Sequence, residues 1–408
     1  MNNSIFKVLC VLVFWANLGT VGDLVIDRYL TVLFSCLVLF ILYNKTKLYY
    51  LSQIRTINLL IILYCLYNAI NSVFSVDKNI DDIKTIALST DIDYTPASTF
   101  VGFAFALKIL SLFFIIEYAV LNKSLRILIK IFLYLTIILL TTNDMLIFLK
   151  GINVNGGDYL LGNKFQVAYM HYFLLLFYTL KGIHFKSLNI NKCYLTILYT
   201  ALFSFYIKCT TAVLGSIILL LFYYNRKRIH KYFYNPKFII CVILLTASFF
   251  WIFTDVLNNN FVNYILVDIL GKDPTLTGRV GIYALLDDTF LLDTIWGVGL
   301  ENSHSFMAHL FGAANTQNGL FEVWVEQGLI GTILFLSLIY TITKSVETNI
   351  YRNYSFPTLS LMYVFILLGT VEITFGYRFC ILLAFYIPTL YKKTYKINSI
   401  CEKTYRNV

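Results

Sequence analysis

Residues 100–121 read FVGFAFALKILSLFFIIEYAVL, an almost unbroken apolar run that contains only two charged side chains, Lys108 and Glu117. An α-helix of about 20 apolar residues crosses the hydrocarbon core of a bilayer. The whole chain shares this character: 59 % of its 408 residues are hydrophobic, 13 % are charged, and the mean hydropathy is +0.73. Soluble domains carry about 25 % charged residues. The composition therefore predicts an all-α polytopic membrane protein.

Further apolar runs of similar length occur along the chain, and backbone groups inside lipid must satisfy their hydrogen bonds within a helix. We predict about twelve transmembrane helices, and eleven or thirteen remain open alternatives. The predicted spans are 4–20, 29–44, 57–76, 100–121, 126–142, 165–180, 194–208, 211–224, 238–257, 328–343, 356–372 and 377–392.

Basic residues concentrate in every second loop between these runs, as in the stretch 226–231, whereas the alternate loops carry more acids, as in 77–93. Lysine and arginine favour the cytoplasmic side of a membrane. The pattern predicts that both termini are cytoplasmic. It also explains the net charge of +10 by topology, so that nucleic acid is not expected as a partner.

One long stretch interrupts the series of spans between the ninth and tenth predicted helices. The chain is divided into nine helices over 1–257, a large loop over 258–327, and three helices with a cytoplasmic tail over 328–408. The charge alternation places this loop on the outer, periplasmic side. Loops of this length are usually functional or disordered, and its repeated aromatic residues favour a folded loop packed on the membrane.

Three short motifs occur in this loop: TGR at 277–279, WGVGL at 296–300 and NTQNGL at 315–320. The last is followed by EQGLIG at 326–331. Arginine presents a planar fork to phosphate oxygens, glycine allows close backbone approach, and amide side chains can hydrogen-bond sugar hydroxyls. A surface loop with turn glycines and one solvated arginine is the alternative, and the residues alone do not separate the two.

The order of these motifs resembles the O-antigen polymerase and ligase superfamily, which are multi-spanning bacterial enzymes with one large late periplasmic loop. Upstream, LGNKF at 161–165 with YMH at 169–171 resembles a segment of surface-polysaccharide polymerases. The sequence CTTAVLG at 209–215 resembles the small polar hairpin that enters their next span. The resemblance covers 161–215 and 277–331 by motif, and the rest by hydropathy.

The resemblance implies a glycosyltransferase of the bacterial cytoplasmic (inner) membrane. It would polymerise undecaprenyl-diphosphate-linked oligosaccharide repeat units into surface polysaccharide, O-antigen or capsule, on the periplasmic face. The expected partners are this lipid-linked oligosaccharide and the lipid bilayer, with a chain-length regulator and a flippase as further candidates. No cofactor and no metal are expected. The rival functions are an O-antigen ligase that transfers glycan to lipid A core, and a flippase for lipid-linked repeat units.

The resemblance also nominates residues. Ligases and many polymerases of this superfamily end the loop with a His-Asn pair, where this chain has Gln317-Asn318. Glutamine cannot accept a proton, so either another residue is the base or positioning of the substrates does most of the work. The difference counts more against a ligase, whose activity is thought to depend on that histidine, than against a polymerase. The catalytic candidates are Arg279 for the phosphate charge and Glu301, His304 and His309 as the base. The substrate-binding candidates are Lys164, Lys208, Gln317, Asn318, Lys108 and His171.

Lys108 and His171 each have two competing interpretations, whereas Arg378 has one. A lysine at the centre of a span, such as Lys108, costs about 2.5–3.5 kcal/mol on insertion scales. It either faces a cavity that holds the lipid diphosphate or pairs with an acid on another helix. His171 is either a ligand or a core histidine bonded to a backbone group. Arg378 is predicted to form a local ion pair with Glu372.

Overall fold

The computed structural model describes residues 2–20, 24–46, 55–75, 99–151, 159–229, 231–252, 295–311, 315–347 and 352–389. These residues fold into α-helices joined by turns, with one isolated β bridge between Tyr159 and Gly162. The helices are α1 (Asn3–Leu18), α2 (Leu24–Thr46), α3 (Arg55–Phe74), α4 (Phe100–Leu121), α5 (Leu125–Lys150), α6 (Lys164–Phe185), α7 (Ile190–Tyr206), α8 (Thr210–Tyr224), α9 (Pro236–Ile252), α10 (Ser303–Phe311), α11 (Gly319–Glu347), α12 (Arg352–Leu368) and α13 (Tyr377–Tyr386).

The predicted all-α membrane architecture is confirmed at the level of helix content and composition. Within the described ranges, five helices are long and apolar enough to cross a membrane: α2, α3, α4, α5 and α11. Shorter apolar helices include α1, α8, α9, α12 and α13. Each predicted span overlaps one helix, and the exact number of membrane crossings remains a prediction.

Large apolar side chains cover much of the outer surface of the bundle. Phe74, Leu149 and Phe205 are 71 %, 82 % and 76 % exposed. A soluble protein rarely leaves contiguous apolar surface of this kind uncovered. Lipid is the solvent that accommodates it, in agreement with a multi-pass membrane protein.

Helix α4 is largely buried and packs against α1, α2, α3 and α13. The last helix of the chain, α13, therefore packs against a helix from the first half of the sequence. Phe132 of α5 forms edge-to-face contacts with Phe177 of α6 and Phe385 of α13, with ring centroids 5.4 and 5.5 Å apart. Such pairs contribute roughly 0.5–1.5 kcal/mol each beyond their burial, and they connect α5 with α6 and with α13.

Helix α11 begins at Gly319, within the segment assigned to the large loop, and breaks at Gly328, where the tenth span was predicted to begin. The backbone of 295–299 lies along this break. Val298 N–H donates to the Val325 carbonyl at 2.8 Å, and Gly299 N–H donates to the Glu326 carbonyl at 2.8 Å. These bonds place the WGVGL motif beside the start of the EQGLIG motif. Residues 258–294 of the predicted loop lie outside the described residues.

Candidate functional site

One end of the bundle collects side chains from both halves of the chain. Near the end of α3, Tyr67 Oη donates to the Gln327 carbonyl at 2.6 Å, and Asn71 Nδ2 donates to the Glu326 carbonyl at 3.1 Å. Arg28, in the second turn of α2, forms an ion pair with Glu301. We call this the large-loop end, because residues 295–302, which belong to the predicted loop, lie there.

Three carboxylates, Glu301, Glu322 and Glu326, form an acidic cluster at the start of α11. Glu322 is 6 % exposed and accepts hydrogen bonds from Ser303 Oγ and, at 2.7 Å, from Thr316 Oγ1. Glu326 Oε1 accepts from the Glu301 N–H at 2.7 Å and lies 3.5 Å from Ser303 Oγ. Ser303 thus bridges two acids that lie one helical turn apart.

The members of the acidic cluster differ in how far their oxygens are engaged. Glu301 was predicted as a base, but its carboxylate is held by the Arg28 guanidinium. Glu322 uses both oxygens as acceptors within the protein. Glu326 uses Oε1, and no hydrogen bond from a described residue reaches its Oε2. Glu326 is therefore the carboxylate best able to accept a proton from a ligand.

Neither Glu322 nor Glu326 is among the residues nominated from the sequence, although Glu326 is the first residue of the EQGLIG motif. Their spacing of four residues, after an asparagine that can cap a helix, places both on one helical face. That signal becomes informative only when α11 is known to begin at Gly319. The prediction had assigned this stretch to the loop, so the shared face was missed.

Lys108 and Arg378 both form cation–π contacts with the ring of Tyr377. The Lys108 Nζ is 3.8 Å from the Tyr377 ring centroid, and the Arg378 Cζ is 4.7 Å from it. Arg378 also lies 5.3 Å from the Tyr169 ring. In the described part of the chain neither cation forms an ion pair with a carboxylate, so Arg378 does not make the predicted pair with Glu372.

Glu117, the acid on the same helix as Lys108, is engaged elsewhere. Its two carboxylate oxygens accept hydrogen bonds from Asn58 Nδ2 at 3.3 and 3.1 Å. The alternative in which Lys108 pairs with an acid on another helix has no partner among the residues that the structure describes. Its ammonium group lies over the rings of Tyr377 and Phe105, and the Glu301 carboxylate acts on it through space without a direct ion pair.

A cavity of about 370 Å³ lies next to Arg378, between the end of α1 and the starts of α6 and α13. Its polar lining includes Asn17, Thr20, Asp27, Asn163, Gln166, Tyr377 and Arg378. Asp27 Oδ2 accepts a hydrogen bond from Thr20 Oγ1 at 2.6 Å. Small-ligand pockets occupy roughly 300–1,000 Å³. The mixture of amide, hydroxyl, carboxylate, phenol and guanidinium groups suits a polar ligand such as a sugar.

The asparagines of two motifs have identified structural roles. Asn163 Oδ1 accepts from the N–H groups of Phe165 and Gln166, each at 3.1 Å, and begins α6. Asn318 Oδ1 accepts from the Leu320 N–H at 3.1 Å and begins α11, while its Nδ2 donates to the Ala247 carbonyl at 2.9 Å. Both are N-caps, a position that asparagine favours.

The other residues of these motifs lie near the caps. Gln317 has a left-handed backbone, with φ of 53°, immediately before the Asn318 cap. Lys208 is exposed, has φ of 55°, and ends α7. Lys164 is the first residue of α6, and its Nζ is 5.6 Å from the ring of Phe165. All three lie at the large-loop end, where a ligand can reach them.

His171 makes both a backbone contact and an acidic contact. Its Nδ1 is 2.9 Å from the Val167 carbonyl, and its Nε2 is 3.1 Å from Asp144 Oδ2. Tyr199 Oη donates to the same Asp144 oxygen at 2.7 Å. A cavity of about 250 Å³ borders these side chains. Asp144 was not a candidate, because the fifth span was predicted to end at residue 142, whereas α5 continues to Lys150.

The remaining candidates are placed only in part. His304 lies in α10 and is exposed. His309 belongs to the same helix, but its side chain lies outside the described residues, as does Arg279. No protein-family model, curated protein or solved structure matches this chain.

Proposed function

We propose that this protein is a membrane glycosyltransferase that polymerises undecaprenyl-diphosphate-linked repeat units into surface polysaccharide, on the periplasmic face of the bacterial inner membrane. One observation carries the proposal. Lys108 and Arg378, which form no ion pair with a described carboxylate, lie in the same apolar helical bundle as a cluster of carboxylates and a polar cavity at its large-loop end. The motif order from 161 to 331 supports it.

The groups at this end are those that glycosyl transfer from a lipid diphosphate requires. A hydroxyl oxygen of the acceptor sugar forms a bond to the anomeric carbon of the donor. The bond from that carbon to the diphosphate oxygen breaks, and the diphosphate leaves with the electron pair. Fixed cations stabilise the charge that develops there. The hydroxyl proton passes to a carboxylate, for which Glu326 is the best placed acid of the cluster.

The first test deletes the gene in its own strain and separates the surface glycan on a gel. Loss of the ladder with a single repeat unit still present on lipid A core, or the corresponding loss of capsule polymer, is the expected result. Complete loss of glycan from the core would contradict the polymerase and favour the ligase or the flippase. Long lipid-linked chains on the outer face would then indicate the ligase, and single units on the inner face the flippase.

The second test is direct. The purified protein in lipid nanodiscs, supplied with lipid-linked repeat units from the same strain, should extend them into longer chains without added cofactor. A protein with normal helical content that leaves the units unchanged, while the same preparation is extended by membranes of the parent strain, would contradict the proposal.

A further inference from the structure

Lys108 and Arg378 are two like charges in contact with one ring, and this arrangement is unfavourable without a third partner. Lys108 lies in the third turn of α4, about 12 Å along the helix from its start. A lysine at this depth is costly, and a second nearby cation adds repulsion. The Tyr377 ring and the Glu301 carboxylate, which is already paired with Arg28, offset these costs only in part.

The start of α13 adds a third positive element. Gly376 precedes the helix with φ of 101°, and no side chain caps its first turn. The exposed N–H groups at a helix N-terminus, together with the helix dipole, favour an anion. Tyr377 and Arg378 are the first two residues of this helix, so the uncapped N–H groups and the guanidinium belong to the same turn.

The cavity beside Arg378 contains an unsatisfied polar atom. Asn17 is 5 % exposed, and its Nδ2 donates to the Val13 carbonyl at 3.0 Å. Its Oδ1 is buried and has no hydrogen-bond partner in the described structure. A buried acceptor without a donor is unfavourable. A ligand hydroxyl in the cavity would satisfy it.

We propose that Lys108, Arg378 and the uncapped start of α13 bind the phosphate groups of a lipid-linked glycan, and that the adjoining cavity holds the sugar attached to those phosphates. The glycan part of this assignment rests on the proposed function. The anion site does not, because a phospholipid headgroup offers the same phosphate chemistry. The experiment must therefore separate these two sources.

Binding is measured with the protein in nanodiscs and three probes: undecaprenyl diphosphate, undecaprenol, and phosphatidylglycerol. The variants are Lys108→Gln and Arg378→Gln. Each should weaken binding of undecaprenyl diphosphate by about 10- to 100-fold, the range expected for a lost hydrogen bond to a charged group. Binding of undecaprenol, which has no phosphate, should not change. Arg378→Lys should retain part of the affinity, because it keeps the charge.

Two matched controls lie elsewhere in the bundle. Arg126 has its guanidinium 5.4 Å from the Phe185 ring, and Lys181 has its Nζ 5.6 Å from the Tyr134 ring. Arg126→Gln and Lys181→Gln remove the same type of cation–π contact and should leave binding as in the wild type. Equal loss in the controls and in the site variants would overturn the assignment, because it would show a general effect of charge on the bundle.

The outcomes separate the site from the function. Equal affinity for phosphatidylglycerol and undecaprenyl diphosphate would overturn the assignment to a lipid-linked glycan. Unchanged binding in Lys108→Gln and Arg378→Gln, in a protein that still polymerises, would overturn the site and leave the proposed function standing. Phosphate-dependent binding in a protein that does not polymerise would support the site and contradict the function.

The sugar part of the assignment has its own readout. Asn17→Leu removes the unsatisfied oxygen at similar side-chain volume, and should weaken binding of the complete lipid-linked repeat unit while binding of undecaprenyl diphosphate stays unchanged. An equal effect on both ligands would contradict the placement of the sugar in the cavity.

Discussion

At the scale of single residues, His171 and Asp144 form a buried polar pair that joins α6 to α5. The His171 Nδ1 lies 2.9 Å from the Val167 carbonyl, and its Nε2 lies 3.1 Å from Asp144 Oδ2. The pair is buried inside an apolar bundle, and Tyr199 adds a second donor to the same oxygen. Its integrity should therefore matter to the stability of α5, α6 and α7.

Asp144→Ala leaves His171 without its acidic partner in a buried site, where breaking a pair costs about 3–5 kcal/mol. We expect a clear decrease in Tm of the purified protein in detergent. Tyr199→Phe removes one hydrogen bond and should cost about 1.5–3 kcal/mol. The double variant Asp144→Ala with His171→Phe should recover part of the loss. A Tm for Asp144→Ala equal to that of the wild type would show that the pair does not stabilise the bundle.

Glu326 carries the second prediction at this scale. A positioned base contributes about 10²- to 10⁴-fold to the rate, so Glu326→Gln should lower chain-extension turnover by at least about 100-fold with little change in binding of the lipid-linked unit. Glu301→Gln serves as the control, because Glu301 is already engaged by Arg28. It should retain more activity. The measurement is single-turnover extension in nanodiscs, and equal rates for the two variants would remove Glu326 from the mechanism.

At the scale of elements, the close approach of two backbones fixes the start of α11 against the 295–299 segment. Gly297 and Gly328 both have positive φ, 75° and 63°. A Cβ on Gly297 would overlap the Gly328 nitrogen, and one on Gly328 would overlap the Ile295 carbonyl. No repacking of side chains can relieve these overlaps, because the atoms involved belong to the main chain.

Gly297→Ala and Gly328→Ala should therefore disrupt the acidic cluster and abolish polymer formation. Gly151→Ala is the matched control, because Gly151 has φ of 79° but no atom of the described residues lies in contact with the added Cβ. It should cost about 1–3 kcal/mol, the penalty for a side chain in the extended positive-φ region that glycine dominates. Polymer length on a gel and protein yield in membranes are the measurements. Normal polymer from both site variants would show that this contact is not needed.

Hydropathy predicted the positions of the helices better than the residues at which they end, and the difference has a physical reason. The apolar runs mark the segments that contact lipid and core, and every predicted span overlaps a helix. Helix ends depend on polar contacts instead. Helix α5 continues past residue 142 because Asp144 has His171 as a partner, and no local pattern reveals that contact. The caps at Asn163 and Asn318, by contrast, carry a local signature that could have been recognised.

At the scale of the whole molecule, the site depends on contacts between distant parts of the chain. Lys108 and Tyr377 belong to opposite halves of the sequence and lie 3.8 Å apart from Nζ to ring centroid. The sequence could identify Lys108 as anomalous because a lysine inside an apolar run is costly. It could not identify its neighbour, because hydropathy does not specify which helices pack together. Of the nominated residues that the structure describes, Lys164, Lys208 and Gln317 lie at the large-loop end, and none of these three lines the cavity.

The orientation of the bundle follows from the charge alternation and gives the last prediction. Lys208 is exposed between α7 and α8, at the large-loop end, and Lys227 follows α8 at the opposite end. If cytoplasmic loops carry the basic excess, a cysteine at position 208 should react with a membrane-impermeant maleimide in intact spheroplasts. A cysteine at position 227 should react only after permeabilisation. The variants are Lys208→Cys and Lys227→Cys in the wild-type background.

The native cysteines set the baseline for this labelling. Cys36 and Cys241 are exposed on the bundle, but both belong to apolar helices where lipid would exclude the reagent, so the wild-type chain should label weakly in intact spheroplasts. Cys401 belongs to the predicted cytoplasmic tail, so the labelling of the wild-type chain after permeabilisation is subtracted from that of the Lys227→Cys variant. Reaction at position 227 and not at 208 in intact spheroplasts would show that the bundle has the opposite orientation, with the cavity on the cytoplasmic side. Transfer would then take place where nucleotide sugars are available, and a lipid-linked donor would no longer be the expected substrate.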